Sequence, residues 1–258
     1  MPVLSDRFTK QYDTTRPGKG CTRLFNITVV GPLKPKPRRL DQFKGKRSSS
    51  QIAEGTNAAA ANAKRLIEDA EALLKADSYA SATALAILAI EEAGKIPILH
   101  SIVLSRNDQE RVAAWKEYRS HTRKNVAWLL PQLVSQGART LEDFRSLFDE
   151  RSDHPHVLDQ VKQISIYTDC LGRGNWSVPD QVIDSELASF LVQTARLFIP
   201  EEDVTVEEVE LWVKHLAPVW KTDMDLMKLA LQTWYEKVTQ RELKSESGYE
   251  NFIWSEYA

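Results

Sequence analysis

The sequence is short of cysteine, glycine and proline. Its 258 residues include only two cysteines, ten glycines and eleven prolines. Cys21 and Cys170 have no metal-ligand spacing, and two thiols do not make a disulfide framework, so the sequence indicates a reducing compartment. The low glycine and proline content excludes collagenous and low-complexity chains. We therefore expect a folded, helix-rich protein.

Long hydrophobic runs are also absent. The longest apolar run, residues 80–90, ends at Glu91 and Glu92, well short of the roughly 20 residues that span a bilayer. The first ten residues, MPVLSDRFTK, lack the apolar core of a secretory signal. We expect a cytoplasmic protein that has no membrane partner.

Motifs for cofactor binding are missing as well. The sequence contains no P-loop, no glycine-rich dinucleotide turn and no Cys/His metal pattern. Asp153, His154 and His156 suggest at most adventitious metal binding. We expect neither a cofactor nor a functional metal.

Charge is unevenly distributed along the chain. The net charge is −2, from 34 basic and 36 acidic residues. Residues 1–50 hold 12 of the basic and 3 of the acidic residues, which leaves 22 basic and 33 acidic residues for the remainder. This pattern predicts a basic arm on an acidic body. Such an arm either contacts nucleic acid or folds back onto the body.

Three long segments carry the strongest helix signals. Residues 57–76 are rich in strong helix formers, and residues 79–104 are apolar around most of the circumference through Ile90, which predicts a central buried helix. Gly94 and Pro97 should bend or interrupt that helix. Residues 109–135 are predicted to form the third helix.

Weaker signals complete an all-α fold class. The predicted elements are a strand at 23–30, a short helix at 140–149, a helix or extended passage at 155–167, a loop or small turn at 172–179 and helices at 180–197 and 204–243, the last split near Pro218. We predict a basic, partly extended arm over 1–50, a helical bundle over 51–200 and a C-terminal helical extension over 201–258.

Polar residues on the second and third helices suggest a site. Glu92 and Lys95 share one stripe with three leucines, at spacings of three and four residues. His121 lies on a mixed stripe of the third helix, and Lys124 follows one turn later. If a short connection makes the two helices antiparallel, a carboxylate, an imidazole and two ammonium groups converge, which suits acid/base work on a phosphate. Pairs of this kind also occur on solvated faces, without function.

Three segments resemble the AbiV family of bacterial abortive-infection proteins. Residues 84–95 (ALAILAIEEAGK) are similar to an apolar helix that ends in Glu-Glu-x-x-Lys, and residues 118–124 (YRSHTRK) are similar to a His-x-x-Lys segment. Residues 162–169 (KQISIYTD), followed by Trp176 and Pro179, resemble a third segment of the family. The resemblance covers roughly residues 55–200.

The resemblance implies a HEPN domain, which is a helical bundle that commonly dimerises and often cleaves RNA without a metal. Active HEPN nucleases carry an arginine and a histidine four to six residues apart, and Arg151 and His156 match that spacing, although Pro155 lies between them. His154 is an alternative to His156. The candidate catalytic residues are Glu92, Lys95, His121, Lys124, Arg151 and His156. The candidate RNA-binding residues are Arg123, Arg173 and Trp176.

The sequence leads to two main hypotheses about the function of the protein. The first is an anti-phage effector, a homodimer that acts on RNA or the translation machinery as a ribonuclease and responds to a phage-encoded activator. The second is a non-catalytic interaction protein that binds a phage or host protein, with the polar network fixing helix register. A third hypothesis is regulation of a neighbouring defence component through the aromatic segment 249–254.

Overall fold

The computed structural model describes residues 41–140, 142–149 and 151–243. The chain divides into two units, residues 1–42 and residues 43–258, and all helices and strands named below belong to the second. The predicted strand at 23–30 and the aromatic segment 249–254 lie outside the described residues, as does Cys21. The described part is helical apart from one small hairpin, which confirms the all-α prediction.

The first helix begins earlier than the sequence pattern suggests. Helix α1 spans Ser49–Lys75, whereas the polar residues before position 51 suggest a linker. Ser48 forms a capping box, because its hydroxyl accepts from the Gln51 N–H at 3.3 Å and the Gln51 side chain accepts from the Ser48 N–H at 3.2 Å. Two otherwise unpaired amides are thereby satisfied, and the helix gains two turns.

The second predicted helix is divided in two at Gly94. Helix α2 spans Tyr79–Ala93 and helix α3 spans Lys95–Val103. Helix α2 is the centre of the bundle, because it packs against α1 and against two helices that lie later in the chain, within residues 154–166 and 185–197. Its Ile87 lies fully buried in the main core, together with Ile67 and Leu191.

The prediction of one continuous third helix is wrong. The structure has α4 over Asp108–Arg119, α5 over His121–Lys124, a 3₁₀ turn over Val126–Leu129 and α6 over Leu130–Ser135. Ser120 adopts an extended backbone and its side chain caps α5 by accepting from the Arg123 N–H. The break turns the residues after Ser120 towards the core of the bundle.

The following segment contains a helix that packs on α2 and a small hairpin. A 3₁₀ turn spans Arg145–Phe148 where a short helix was predicted, and α7 spans His154–Ile166. Strands β1 (Asp169–Leu171) and β2 (Asn175–Ser177) pair antiparallel, joined by a turn. Only β2 lies within 172–179, where a loop or small turn was predicted. Helices α8 (Pro179–Val182) and α9 (Ser185–Leu197) replace the single predicted helix at 180–197.

The C-terminal helices pack on the bundle. Helix α10 spans Val206–Leu216, a 3₁₀ turn covers Ala217–Val219 and α11 spans Met224–Gln240, so the predicted split near Pro218 is confirmed. The Asn57 side chain of α1 donates to the Val204 carbonyl at 3.0 Å and accepts from its N–H at 2.8 Å. This pair of bonds fixes the start of the C-terminal segment to α1.

The last residues before α1 lie against α4. The Trp115 indole donates to the Gly45 carbonyl at 3.1 Å, and Arg111 donates to the Lys44 carbonyl at 3.3 Å. Phe43 packs edge-on against Trp115. Residues 43–47 of the predicted arm therefore contact the body. In the described part of the chain, no helix has the length and apolar character needed to cross a membrane.

Candidate functional site

A buried carboxylate at the end of α2 organises the site. Glu91 is only 2% exposed, so its charge requires partners. Its Oε2 lies 2.6 Å from His121 Nδ1 on α5. Because an ionised carboxylate can only accept, the His121 Nδ1–H donates to Glu91. This bond fixes the ring and its tautomer.

Two lysines supply the opposing charge. Lys162, on α7, donates to Glu91 Oε1 through a short bond and contacts Asp159 Oδ1 at 2.7 Å. Lys124, on α5, lies 3.5 Å from Glu91 Oε2. Both lysine side chains are buried. Helices α2, α5 and α7 thus meet in a charge-balanced cluster, which we call the Glu91 cluster: Glu91, His121, Lys124, Asp159 and Lys162.

The close approach of α5 to α2 depends on Gly94. A Cβ at Gly94 would lie 2.0 Å from the Lys124 carbonyl oxygen, well inside any allowed contact. Only glycine therefore lets the Lys124 backbone pass across the end of α2. The glycine of the Glu-Glu-x-x-Lys segment has a packing role that brings α5 to Glu91.

The pKa values of the cluster favour the charged forms of Glu91 and Lys162. Burial alone would raise the pKa of Glu91, but hydrogen bonds from Lys162 and His121 and the charges of both lysines lower it below the usual value. Burial alone would lower the pKa of Lys162, but hydrogen bonds to Asp159 and Glu91 raise it. Burial, with the nearby charge of Lys95, lowers the pKa of Lys124 despite the opposing effect of Glu91.

The acid predicted from the sequence, Glu92, lies beside the cluster rather than in it. It pairs with Lys95 at 2.6 Å, and both side chains are partly exposed. The Lys95 ammonium lies 5.3 Å from the centre of the Tyr118 ring. The stripe through Glu92 was expected to face the other helices, but the structure places Glu91 there instead. Glu92 and Lys95 therefore flank the site.

The Arg151–His156 spacing does not produce a buried pair. Arg151 is 91% exposed and bonds to Asp149 two residues away. His154 is buried, contacts the Ser152 hydroxyl at 2.6 Å through Nδ1 and the Val126 carbonyl at 2.7 Å through Nε2, so both ring nitrogens have structural partners. His156 is exposed and lines an open pocket of about 200 Å³ with Arg123 and Asp149.

The candidate RNA-binding residues do not form one group. Arg123 lies on α5 and lines the His156 pocket. Arg173 is exposed in the turn of the hairpin, and the Trp176 ring is 70% exposed on β2. The exposed tryptophan offers a stacking surface for a base.

Within the cluster, one imidazole nitrogen of His121 remains available for proton transfer. The His121 side chain is 58% exposed, whereas its partner Glu91 is buried. Since Nδ1 is held by Glu91, proton exchange with a ligand falls to Nε2. A histidine oriented by a buried carboxylate is a recurrent acid/base arrangement. Glu91, His121 and Asp159 also bring donor atoms within 4.8 Å of one another, close enough to hold a metal ion.

These features define a helical bundle with an exposed histidine held by a buried, lysine-balanced glutamate. Across residues 51–200, which are more than half of the chain, the sequence matches the family model HEPN_AbiV, described as AbiV. The chain belongs to the AbiV family of the HEPN superfamily. No curated protein and no solved structure matches it.

Sequence reasoning missed three members of the cluster: Glu91, Asp159 and Lys162. Glu91 is part of the Glu-Glu segment, but the stripe of leucines favours the adjacent acid. Lys162 is the first residue of the third family-like segment, 162–169, and this position could have identified it as a site residue. Asp159 lies one turn before Lys162 on α7, where an acid three residues from a lysine looks like an ordinary surface pair.

Proposed function

We propose that this protein is an abortive-infection effector of phage defence that cleaves RNA, with His121 as the acid/base group. The observation that carries the proposal is the bond between buried Glu91 and exposed His121, 2.6 Å long. Family membership supports the defence role. The cytoplasm is the compartment where such an effector meets RNA and ribosomes.

The proposed reaction uses the RNA's own nucleophile. His121 Nε2 takes the proton of a ribose 2′-hydroxyl, and the 2′ oxygen attacks the adjacent phosphorus. The bond from phosphorus to the 5′ oxygen breaks, and the leaving oxygen takes a proton from water. The products are a 2′,3′-cyclic phosphate and a 5′-hydroxyl. Glu91 stabilises the imidazolium while it carries the proton.

Other residues have supporting parts in this proposal. We assign to Lys95 and Arg123 the task of offsetting phosphate charge, and to Trp176 that of stacking on a base. Glu92 holds Lys95 through their ion pair. We further propose that the protein works as a homodimer, since the resemblance to HEPN domains implies paired subunits.

Purified full-length protein incubated with total cellular RNA in EDTA tests the reaction. The experiment is run with and without extract from infected cells, because a phage-encoded activator is part of the proposal. Cleavage in EDTA that leaves 2′,3′-cyclic ends is the expected result. RNA that stays intact with extract, while the same protein still arrests growth in cells, would contradict it.

A second candidate function is binding of a phage or host protein without catalysis. The exposed apolar residues at the end of α7 and on the two faces of the hairpin favour it, because Ile166, Tyr167, Leu171 and Trp176 are each more than a third exposed. Under this hypothesis Trp176→Ala abolishes growth arrest, whereas His121→Ala leaves it intact. Under the ribonuclease hypothesis, His121→Ala abolishes growth arrest.

A further inference from the structure

The Lys162 ammonium lies among three groups that commonly bind metals. Its Nζ donates to Glu91 Oε1, lies 2.7 Å from Asp159 Oδ1 and lies 3.4 Å from His121 Nδ1. The same three residues form the group whose donor atoms come within 4.8 Å of one another. The ammonium is therefore at the centre of a potential three-ligand site.

The chemistry of these groups requires a cation at that point. Two carboxylates and an imidazole are ligands for divalent transition metals, and carboxylates this close repel each other without a positive charge between them. A lysine provides the charge through its own side chain. Because Lys162 binds one oxygen of Glu91, it also directs the other oxygen to His121.

We propose that Lys162 is a positioning residue that takes the place of a divalent cation in the Glu91 cluster. Its covalently attached charge holds Glu91 and Asp159 together and orients Glu91 towards His121. Removal of the ammonium then converts the cluster into a site for a divalent transition metal such as Zn²⁺. The proposal rests on the proposed function only for the task that His121 performs, since the placement of the cation is independent of it.

The geometry allows this conversion with small movements. Zinc lies about 2.0–2.2 Å from nitrogen and carboxylate ligands, so the donor atoms around Lys162 have to move inward, His121 Nδ1 furthest, by roughly 1.4 Å. His121 Nδ1 also gives up its proton when it becomes a ligand. The His121 and Asp159 side chains are partly exposed and have room for that movement. Truncation to alanine also frees the volume of the lysine side chain for the ion and for water.

Zinc titration of the full-length Lys162→Ala variant tests the proposal, with binding measured by calorimetry or by competition with a chromogenic chelator. Lys124→Ala is the matched control. Lys124 is also buried and also pairs with Glu91, but only Lys162 pairs with Asp159 as well. We expect Lys162→Ala to gain one site at least about tenfold tighter than any in the wild type, and Lys124→Ala to gain none. In the double variant Lys162→Ala/Asp159→Asn, we expect the gain to fall by at least about tenfold.

If the variants are folded, any one of three results would overturn the proposal. Lys162→Ala binds zinc no more tightly than the wild type, Lys124→Ala gains the same site, or the gain survives Asp159→Asn and so represents an adventitious ion only. If Lys162→Ala is unfolded without metal, the proposal expects folding on addition of Zn²⁺, because metal binding then drives folding. A chain that stays unfolded with zinc contradicts it. Zinc binding is read without RNA, so failure of the ribonuclease proposal is seen separately.

Discussion

Two regions of this molecule carry a histidine near positively charged residues, and they are built differently. At the Glu91 cluster, three helices bring a buried glutamate, two buried lysines and an exposed histidine together. In the 151–156 segment, the arginine is exposed and bonds to a neighbouring aspartate, and the histidine lies in an open pocket. The second region matches a motif by spacing, whereas the first is assembled by long-range packing.

The difference shows what converts a histidine into a candidate acid/base group. A spacing along the chain places two side chains near each other but fixes neither of them. A buried carboxylate can bind only the groups packed around it, so it holds the histidine ring in one orientation. It also determines which ring nitrogen remains available to a ligand. Substitutions in the two regions should therefore differ in the size of their effects.

Loss of the buried charge should have the largest effect. We expect Glu91→Gln to lower the free energy of unfolding by roughly 3–5 kcal/mol, because two buried lysines lose their shared counter-charge. Urea unfolding measures the change. Asp149→Asn removes the partner of Arg151 in the exposed region and should unfold like the wild type. Equal losses in the two variants would erase the proposed distinction.

The same carboxylate should make stability depend on pH. The pKa of Glu91 is lowered in the folded protein relative to its usual value of 4.5. Its contribution is therefore present above pH 4.5 and is lost as the pH falls through the lower, folded-state pKa. We expect the stability gap between wild type and Glu91→Gln to narrow as the pH falls below 4.5. A gap that stays constant down to the acid transition would contradict the assignment.

The next effect concerns the approach of α5 to α2. Gly94→Ala puts a Cβ 2.0 Å from the Lys124 carbonyl oxygen, and we expect a loss of at least about 1–3 kcal/mol from the forced backbone shift. Gly55→Ala on α1 is the control, because its Cβ would meet the Leu99 methyls at 3.6 Å, an ordinary contact. Alanine there should be neutral or raise stability by up to about 1 kcal/mol. The denaturation midpoints of the two variants measure this difference in stability.

The smallest effects should distinguish the two histidines of the 151–156 segment. His154→Ala removes hydrogen bonds to Ser152 and Val126 and should cost about 1–3 kcal/mol, because these partly buried groups lose their partner. His156→Ala should leave the free energy of unfolding unchanged, since His156 is exposed. Thermal unfolding of both variants checks this. If His156→Ala loses more stability than His154→Ala, the structural role belongs to His156 and the assignment is wrong.

Local sequence signals predicted the helices better than their ends. Helix α2 is apolar around most of its circumference, and apolar residues recur along α9 and α11, so these helices were predicted. The capping box at Ser48 and Gln51 was present in the sequence, but the run of polar residues around it suggested a linker. The break at Ser120 was not predicted, because the helical pattern of the sequence continues through it.

The site residues divide in the same way. His121 and Lys124 stand out because they are polar residues on a helix predicted to be inside. Glu91 and Glu92 could not be separated, because α2 is buried around nearly its whole circumference and periodicity then selects no face. Lys162 is 71 residues from Glu91 in the chain, and no local pattern pairs residues at that distance.

The most direct measurement of the central claim is the rate of RNA cleavage in EDTA by His121→Ala and by His156→Ala, each shown to be folded. If Glu91-held His121 is the acid/base group, His121→Ala slows cleavage by about 100-fold or more, while His156→Ala cleaves at close to the wild-type rate. If instead His156→Ala is inactive and His121→Ala cleaves normally, the site lies at the 151–156 segment and His121 is not the acid/base group.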